Sequence, residues 1–151
     1  MPTVSFKPSG NFKPREAEFE LLGKLLDEQI HSDSDLAKLA RERVPTCVID
    51  RLSNFGLEAR ELSFIIHGRM LTRRRQRHER LSIDESDKAI RLAKILALTT
   101  TCFGNREKAI RWLRRAQRRF GGRSALEFLG SEHGARLVEE SIAQIDEGYF
   151  A

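Results

Sequence analysis

Residues 82–104 read SIDESDKAIRLAKILALTTTCFG. Ser82 and Glu85 have the spacing of a capping box, in which each side chain accepts from the other residue's backbone amide. Ala89, Ile90, Ala93, Leu96, Ala97 and Thr100 follow at helical spacing. Gly104 then offers the left-handed residue that ends a helix. The stretch predicts one long helix from Ser82 to Gly104, around which the rest of the chain is organised.

Downstream, Asn105 caps a helix with Ala109, Ile110, Leu113 and Ala116 turned inward. Gly121-Gly122 reads as a flexible break. Ser124 and Glu127 form a second capping box, opening a short helix closed by Gly130. A last helix runs from about Glu132 to Glu147, with Val138, Ile142 and Ile145 on one face, and Gly148 ends it. Upstream, Phe19, Leu22, Leu26 and Ile30 mark a first helix beginning at Ala17. Ser32-Asp33-Ser34 offers caps for a second, and Pro45 sits at the first turn of a third that Gly56 ends. Leu57 to Ile66 makes another helical run, with Leu62, Ile65 and Ile66 as its core face. His67-Gly68 interrupts it before a basic helix from Arg69 to His78. Two helices joined by a short glycine-containing turn make a helix-turn-helix. Residues 1–16, with three of the four prolines, read as a flexible arm.

The 151 residues can bury a true core, and 40% of them are hydrophobic. With 18 leucines and helical apolar spacing throughout, the expected class is all-α. Residues 17–80 form the helix-turn-helix part and residues 81–151 a smaller helical domain. No apolar run approaches a membrane span, and Met1 to Phe12 has no apolar signal-peptide segment. The expected location is therefore the cytoplasm. Cys47 and Cys102 stand far apart without histidine or cysteine neighbours, so neither a zinc site nor a disulfide framework is indicated.

Charge is blocky. Lys+Arg is 27 against Asp+Glu 22, and 20 of the cations are arginine. Residues 69–80 hold six cations and one anion, residues 106–123 eight and one, and residues 124–151 one and six. In the first basic block, Arg69, Arg73 and Arg77 share a helix face, with Arg74 and Arg75 beside them. The second helix of a helix-turn-helix enters the major groove, where arginine forks onto guanine or grips phosphate. These five arginines are the candidate DNA-binding residues. In the second block Arg111, Arg115 and Arg118/Arg119 read as one helix face, opposite Ile110, Leu113 and Ala116. That face suits phosphates, a protein partner, or neutralisation by the acidic last helix.

No HExxH, phosphate-binding loop, dinucleotide fingerprint or nucleophile elbow occurs. The histidines His31, His67, His78 and His133 are scattered, and Glu139-Glu140 point apart on a helix. No enzyme activity, cofactor or metal is expected. Tyr149-Phe150-Ala151, an aromatic end after Gly148, suggests docking on the protein's own core or in a partner.

Several of these residues together resemble the toxin-binding domain of Xre/MbcA/ParS-type antitoxins. They are Phe103-Gly104-Asn105, Ala109, Trp112-Leu113, Gly121 to Leu129, Gly134-Ala135, Val138-Glu139 and Ile145 with Gly148 to Ala151. Glu61 to Ser86 resembles the Xre-like helix-turn-helix of the same family, carried by Ile65-Ile66, Arg69-Met70-Leu71, Arg73-Arg74 and Leu81-Ser82. The resemblance spans roughly residues 45–151. Departures fall at His67-Gly68, Met70, Arg114-Arg115-Ala116, Ser124-Ala125, and in the tail Ile145-Asp146-Glu147-Gly148, where the family commonly has Ile-Glu-Tyr-Gly.

The resemblance implies an antitoxin without catalysis of its own. Its partner would be a RES-domain toxin that consumes NAD or uses it for ADP-ribosylation. Trp112, Gly121, Gly122, Arg123, Ser124, Ile145, Gly148, Tyr149, Phe150 and Ala151 would then serve toxin binding, with the tail covering the active-site cleft. The helix-turn-helix would bind operator DNA and repress the operon, as a homodimer within a larger toxin–antitoxin complex. A stand-alone repressor whose C-terminal domain only oligomerises is the alternative. A helical RNA-binding protein is a third reading, disfavoured by the lack of stacking aromatics between the arginines.

Overall fold

The computed structural model describes residues 12–148. The described residues form α1 (Phe12–Leu26), α2 (Asp33–Glu42), α3 (Cys47–Phe55), α4 (Ala59–Leu62), α5 (Gly68–Gln76), α6 (Ile83–Phe103), α7 (Arg106–Arg114) and α8 (Glu132–Asp146). A two-residue ladder, β1 (Ala116–Gln117) with β2 (Arg123–Ser124), is the extended pairing among them. The fold is all-α.

Helix α6 is the axis. Ser82 Oγ accepts from the Glu85 amide at 3.1 Å, and Glu85 Oε1 accepts from the Ser82 amide at 2.7 Å. Gly104, at φ +69°, closes the helix and donates to the Thr100 carbonyl. Between these ends Ala89, Ile90, Leu92, Ala93, Ile95, Leu96 and Ala97 are all buried. A helix apolar on most sides must be surrounded. Accordingly α1, α2, α7 and α8 all pack on it. One continuous apolar core runs from Leu22 to Ile142 and joins both halves of the chain. Each fully buried Leu or Ile in it contributes about 1.5–3 kcal/mol.

Smaller devices set the joints. Ser32 caps α2 by accepting from the Asp35 amide. Arg43, at φ +68°, turns the chain out of α2, and its guanidinium donates to the Leu81 and Arg80 carbonyls. The buried Ser86 hydroxyl accepts from the Val44 amide at 2.9 Å. The link between α2 and α3 is thus stitched to the entrance of α6. Gly56, at φ +132°, ends α3, and a side chain there would press on Ile110 Cδ1.

Four local expectations are revised. Helix α1 begins at Phe12, within the stretch read as an arm. The run after Gly56 does not stay helical to Ile66. Helix α4 stops at Leu62, where the Ser63 hydroxyl donates to the Arg60 carbonyl and so competes with the next helical bond. Ile65 and Ile66 still reach the core, from the turn, and Gly68 opens α5 rather than lying before it. Helix α7 ends at Arg114, so Ala116 is exposed and Arg115, Arg118 and Arg119 do not continue one helix face. The buried Gln117 side chain donates to the Trp112 carbonyl at 2.9 Å, taking an acceptor that the helix leaves open. Gly121-Gly122 is a tight turn, not a slack break. Both residues have positive φ, and Gly122 N–H donates to the Gln117 carbonyl.

Candidate functional site

Two basic surfaces face outward. The first is α5. Arg69, Arg73 and Arg77 are exposed along one side, as spacing by four residues requires. Met70 is exposed beside them, and Leu71 packs against the core. Arg74 and Arg75 are tied down. Arg74 bridges Glu79 at 3.1 Å and Glu85 at 3.2 Å, which fastens α5 to the first turn of α6. The Glu85 hydrogen bond raises the Arg74 pKa above its ordinary value, against its partial burial. Arg75 meets Asp50 of α3 at 2.6 Å. Three of the five candidate arginines therefore project freely, and two brace the helix that carries them.

The second surface runs from α7 into the ladder. Arg106, Arg111, Arg115, Arg118 and Arg123 are exposed on it. Arg114 is turned back to α4: its Nε and Nη2 donate to the Glu61 carboxylate at 2.8 and 2.7 Å, and Nη2 also donates to the Gly56 carbonyl at 2.7 Å. Arg106 lies over the Phe55 ring, 5.8 Å from its centroid. A shallow groove forms between the end of α3 and α7, lined by Phe55, Gly56, Arg106, Ile110, Arg111 and Arg115.

The acidic last helix turns Leu137, Ser141 and Gln144 toward Arg115, Arg118 and Arg119. Glu132 pairs with Arg136, Glu139 with Lys94, and Asp146 faces Cys102. Burial first, and then the Asp146 carboxylate, push the Cys102 thiol up.

The remaining candidates divide by burial. Trp112 is a core residue, in a file of rings with Phe103, Phe120 and Phe128 at centroid distances of 5.3–6.0 Å. Gly121, Gly122 and Arg123 are exposed at the turn of the ladder, with Arg119 over the Trp112 ring. Ser124 is half-buried and shares reciprocal capping bonds with Glu127. Ile145 packs on the core, and Gly148, at φ +83°, is exposed. Tyr149, Phe150 and Ala151 lie outside the described residues. All four histidines are exposed, and no group of three metal-ligating side chains is found among the described residues.

Residues 99–148 match the family model of the antitoxin Xre/MbcA/ParS C-terminal toxin-binding domain. This segment is similar to the C-terminal domain of that family. It comprises the last turn of α6, α7, the ladder and α8. Antitoxin Xre of Pseudomonas putida is 41% identical over 85 residues, covering 56% of this chain and 54% of that protein. Antitoxin Xre of Yersinia enterocolitica is 32% identical over 87 residues, covering 57% and 59%. The chain thus spans somewhat more than half the length of these curated relatives.

The geometry explains parts of the Xre/MbcA/ParS pattern. Trp112 and Leu113 build its core, and Gly121-Gly122 satisfies a turn that needs positive φ twice. Gly134 sits where a Cβ would run into the Phe128 carbonyl oxygen, so α8 can approach only with glycine there. Gln117, Phe120 and the Glu61–Arg114 pair escape a sequence reading. Glu61 and Arg114 are far apart in the chain, and Gln117 lies just past the helix it helps to end.

Proposed function

We propose that this chain is the antitoxin of a type II toxin–antitoxin pair. The C-terminal domain binds a RES-domain toxin that consumes NAD or transfers ADP-ribose, and it covers the toxin's active site. The turn at Gly121, Gly122 and Arg123 and the tail from Gly148 through Tyr149, Phe150 and Ala151 make the contact. Trp112, Ser124 and Ile145 hold that surface in shape. An extended tail in a cleft excludes a dinucleotide without any catalytic group of its own.

The observation that carries this reading is the match of residues 99–148 to a toxin-binding domain. The relatives named Antitoxin Xre support it. The N-terminal part serves operator DNA, with α5 in the major groove and Arg69, Arg73 and Arg77 as contacts, in a homodimer within the larger complex. The exposed arginine row beside braced Arg74 and Arg75 supports this half. The complex acts in the cytoplasm.

Co-expression with the adjacent gene product tests the reading. A complex that co-purifies and represses a reporter placed behind the shared promoter is the expected result. Repression without any complex would instead favour a stand-alone repressor whose C-terminal domain only oligomerises.

A further inference from the structure

We propose that Arg106, Arg111 and Arg115 form a second DNA-contact face that grips the phosphate backbone beside the helix-turn-helix. The inference rests on the reading that α4 and α5 bind DNA, and it extends the footprint into the domain assigned to the toxin.

Position comes first. In a helix-turn-helix the first helix crosses the DNA backbone while the second enters the groove. Here the first helix is α4, and Arg114 fastens the end of α7 to it through Glu61 and Gly56. The arginines around Arg114 therefore flank the element that lies on the phosphate strand. Arg106, Arg111 and Arg115 all line the groove between α3 and α7, alongside Phe55 and Gly56.

Charge comes second. Neither Arg111 nor Arg115 meets a carboxylate among the described residues. Glu107, the acid on this face, lies 3.5 Å from Arg106. The acidic helix α8 spends its paired carboxylates on Arg136 and Lys94. The face thus keeps its positive charge in solution, as a phosphate-tracking surface must. Residue type comes third. Arginine presents a planar fork to phosphate oxygens, and these three are arginine. Contacts of this kind position a protein on DNA and carry no sequence information.

The test is the full-length chain carrying Arg106→Gln, Arg111→Gln and Arg115→Gln together, with Arg114 left in place. Circular dichroism and Trp112 fluorescence verify the fold. Binding is measured across a salt series to two duplexes, one from upstream of the chain's own coding sequence and one of unrelated sequence. Each lost phosphate contact removes about 0.9 from the slope of log affinity against log salt, so the slope falls by about two to three units. Affinity for both duplexes drops by the same factor, and co-purification with the toxin is unchanged. An unchanged slope, or loss of the toxin with DNA binding intact, overturns the inference and assigns the face to another partner. If the unaltered chain binds neither duplex, the DNA reading of α5 fails as a whole and this inference falls with it. If Arg69→Gln abolishes discrimination between the duplexes while the triple variant leaves the slope alone, only this inference fails.

Discussion

Arg114 closes a two-point clasp on Glu61, Nε to Oε2 at 2.8 Å and Nη2 to Oε1 at 2.7 Å, across 53 residues of sequence. It ties the end of α7, inside the segment similar to the Xre/MbcA/ParS C-terminal domain, to α4. Glu61 also accepts from the Glu58 amide at 2.8 Å. Burial works to raise the Glu61 pKa. The Arg114 hydrogen bond, the Glu58 amide and the charges of Arg114 and Arg60 outweigh it and hold the carboxyl below its ordinary value of 4.5.

A depressed carboxyl pKa stabilises the fold above the unfolded value and loses that contribution as pH falls through the folded one. The clasp is therefore intact at neutral pH, and its contribution to stability shrinks as pH falls below the ordinary value of 4.5 and through the lower folded value. Arg114→Ala should cost about 1–2 kcal/mol at pH 7, the lower part of the range for charged hydrogen bonds because Arg114 is partly solvated. It should also flatten the acid limb of the stability curve. Urea unfolding at pH 7 and at lower pH reads both; an acid limb of the same depth in the variant would show that Glu61 owes its shift to other groups.

Gly134 should not tolerate a side chain. Its Cβ would meet the Phe128 carbonyl, whereas nothing lies within 4 Å of a Cβ on Gly130. Gly134→Ala is expected to destabilise by about 2–3 kcal/mol through overpacking, while Gly130→Ala stays near neutral. Thermal melts of the two variants side by side decide the matter, and equal melting temperatures would refute the close approach.

The two arginines side by side on α5 should behave differently. Arg74→Ala leaves the nearly buried Glu85 without its cationic partner, held by the Ser82 amide alone, and should cost about 2–3 kcal/mol of stability. Arg73→Ala removes an exposed cation, so stability should hold within about 0.5 kcal/mol. DNA affinity should fall with a shallower salt slope. Chemical denaturation and a salt titration of each variant separate the effects. A stable Arg74→Ala protein would mean that Glu85 is content without the pair.

The thiols should also part company. Cys47 is exposed, while Cys102 is half-buried with its thiol pushed up by burial and Asp146. A maleimide at neutral pH should label Cys47 first and Cys102 only slowly. Asp146→Asn should speed Cys102, and equal rates from the start would contradict the placement of Cys102 on the side of α6 that faces Asp146 of α8.

What the sequence made legible were the features set by neighbours in the chain. The Ser82–Glu85 box, the Ser32 and Asn105 caps and the stops at Gly56 and Gly104 all act within a few residues, and each appears where its spacing places it. The basic row on α5 was legible for the same reason. Features set by tertiary competition were not. Helix α7 keeps its apolar spacing as far as Ala116 yet stops at Arg114, where the chain turns into the ladder and Gln117 reaches back to Trp112. Gly121-Gly122 looks slack in sequence and is a defined turn because Phe120 beside it is buried against Trp112 and Phe128. The bracing of Arg74 and Arg75 was invisible because their partners Glu85 and Asp50 lie on other helices.

The central claim is that the C-terminal domain silences a toxin through its tail. Its most direct test is growth of cells expressing a RES-domain toxin encoded beside this chain, if the proposed pairing holds there, with this chain supplied whole or lacking Tyr149 to Ala151. Both forms should co-purify with the toxin, and only the whole chain should restore growth. Rescue by the shortened chain would contradict the tail's role, and no complex with either form would contradict the antitoxin reading itself.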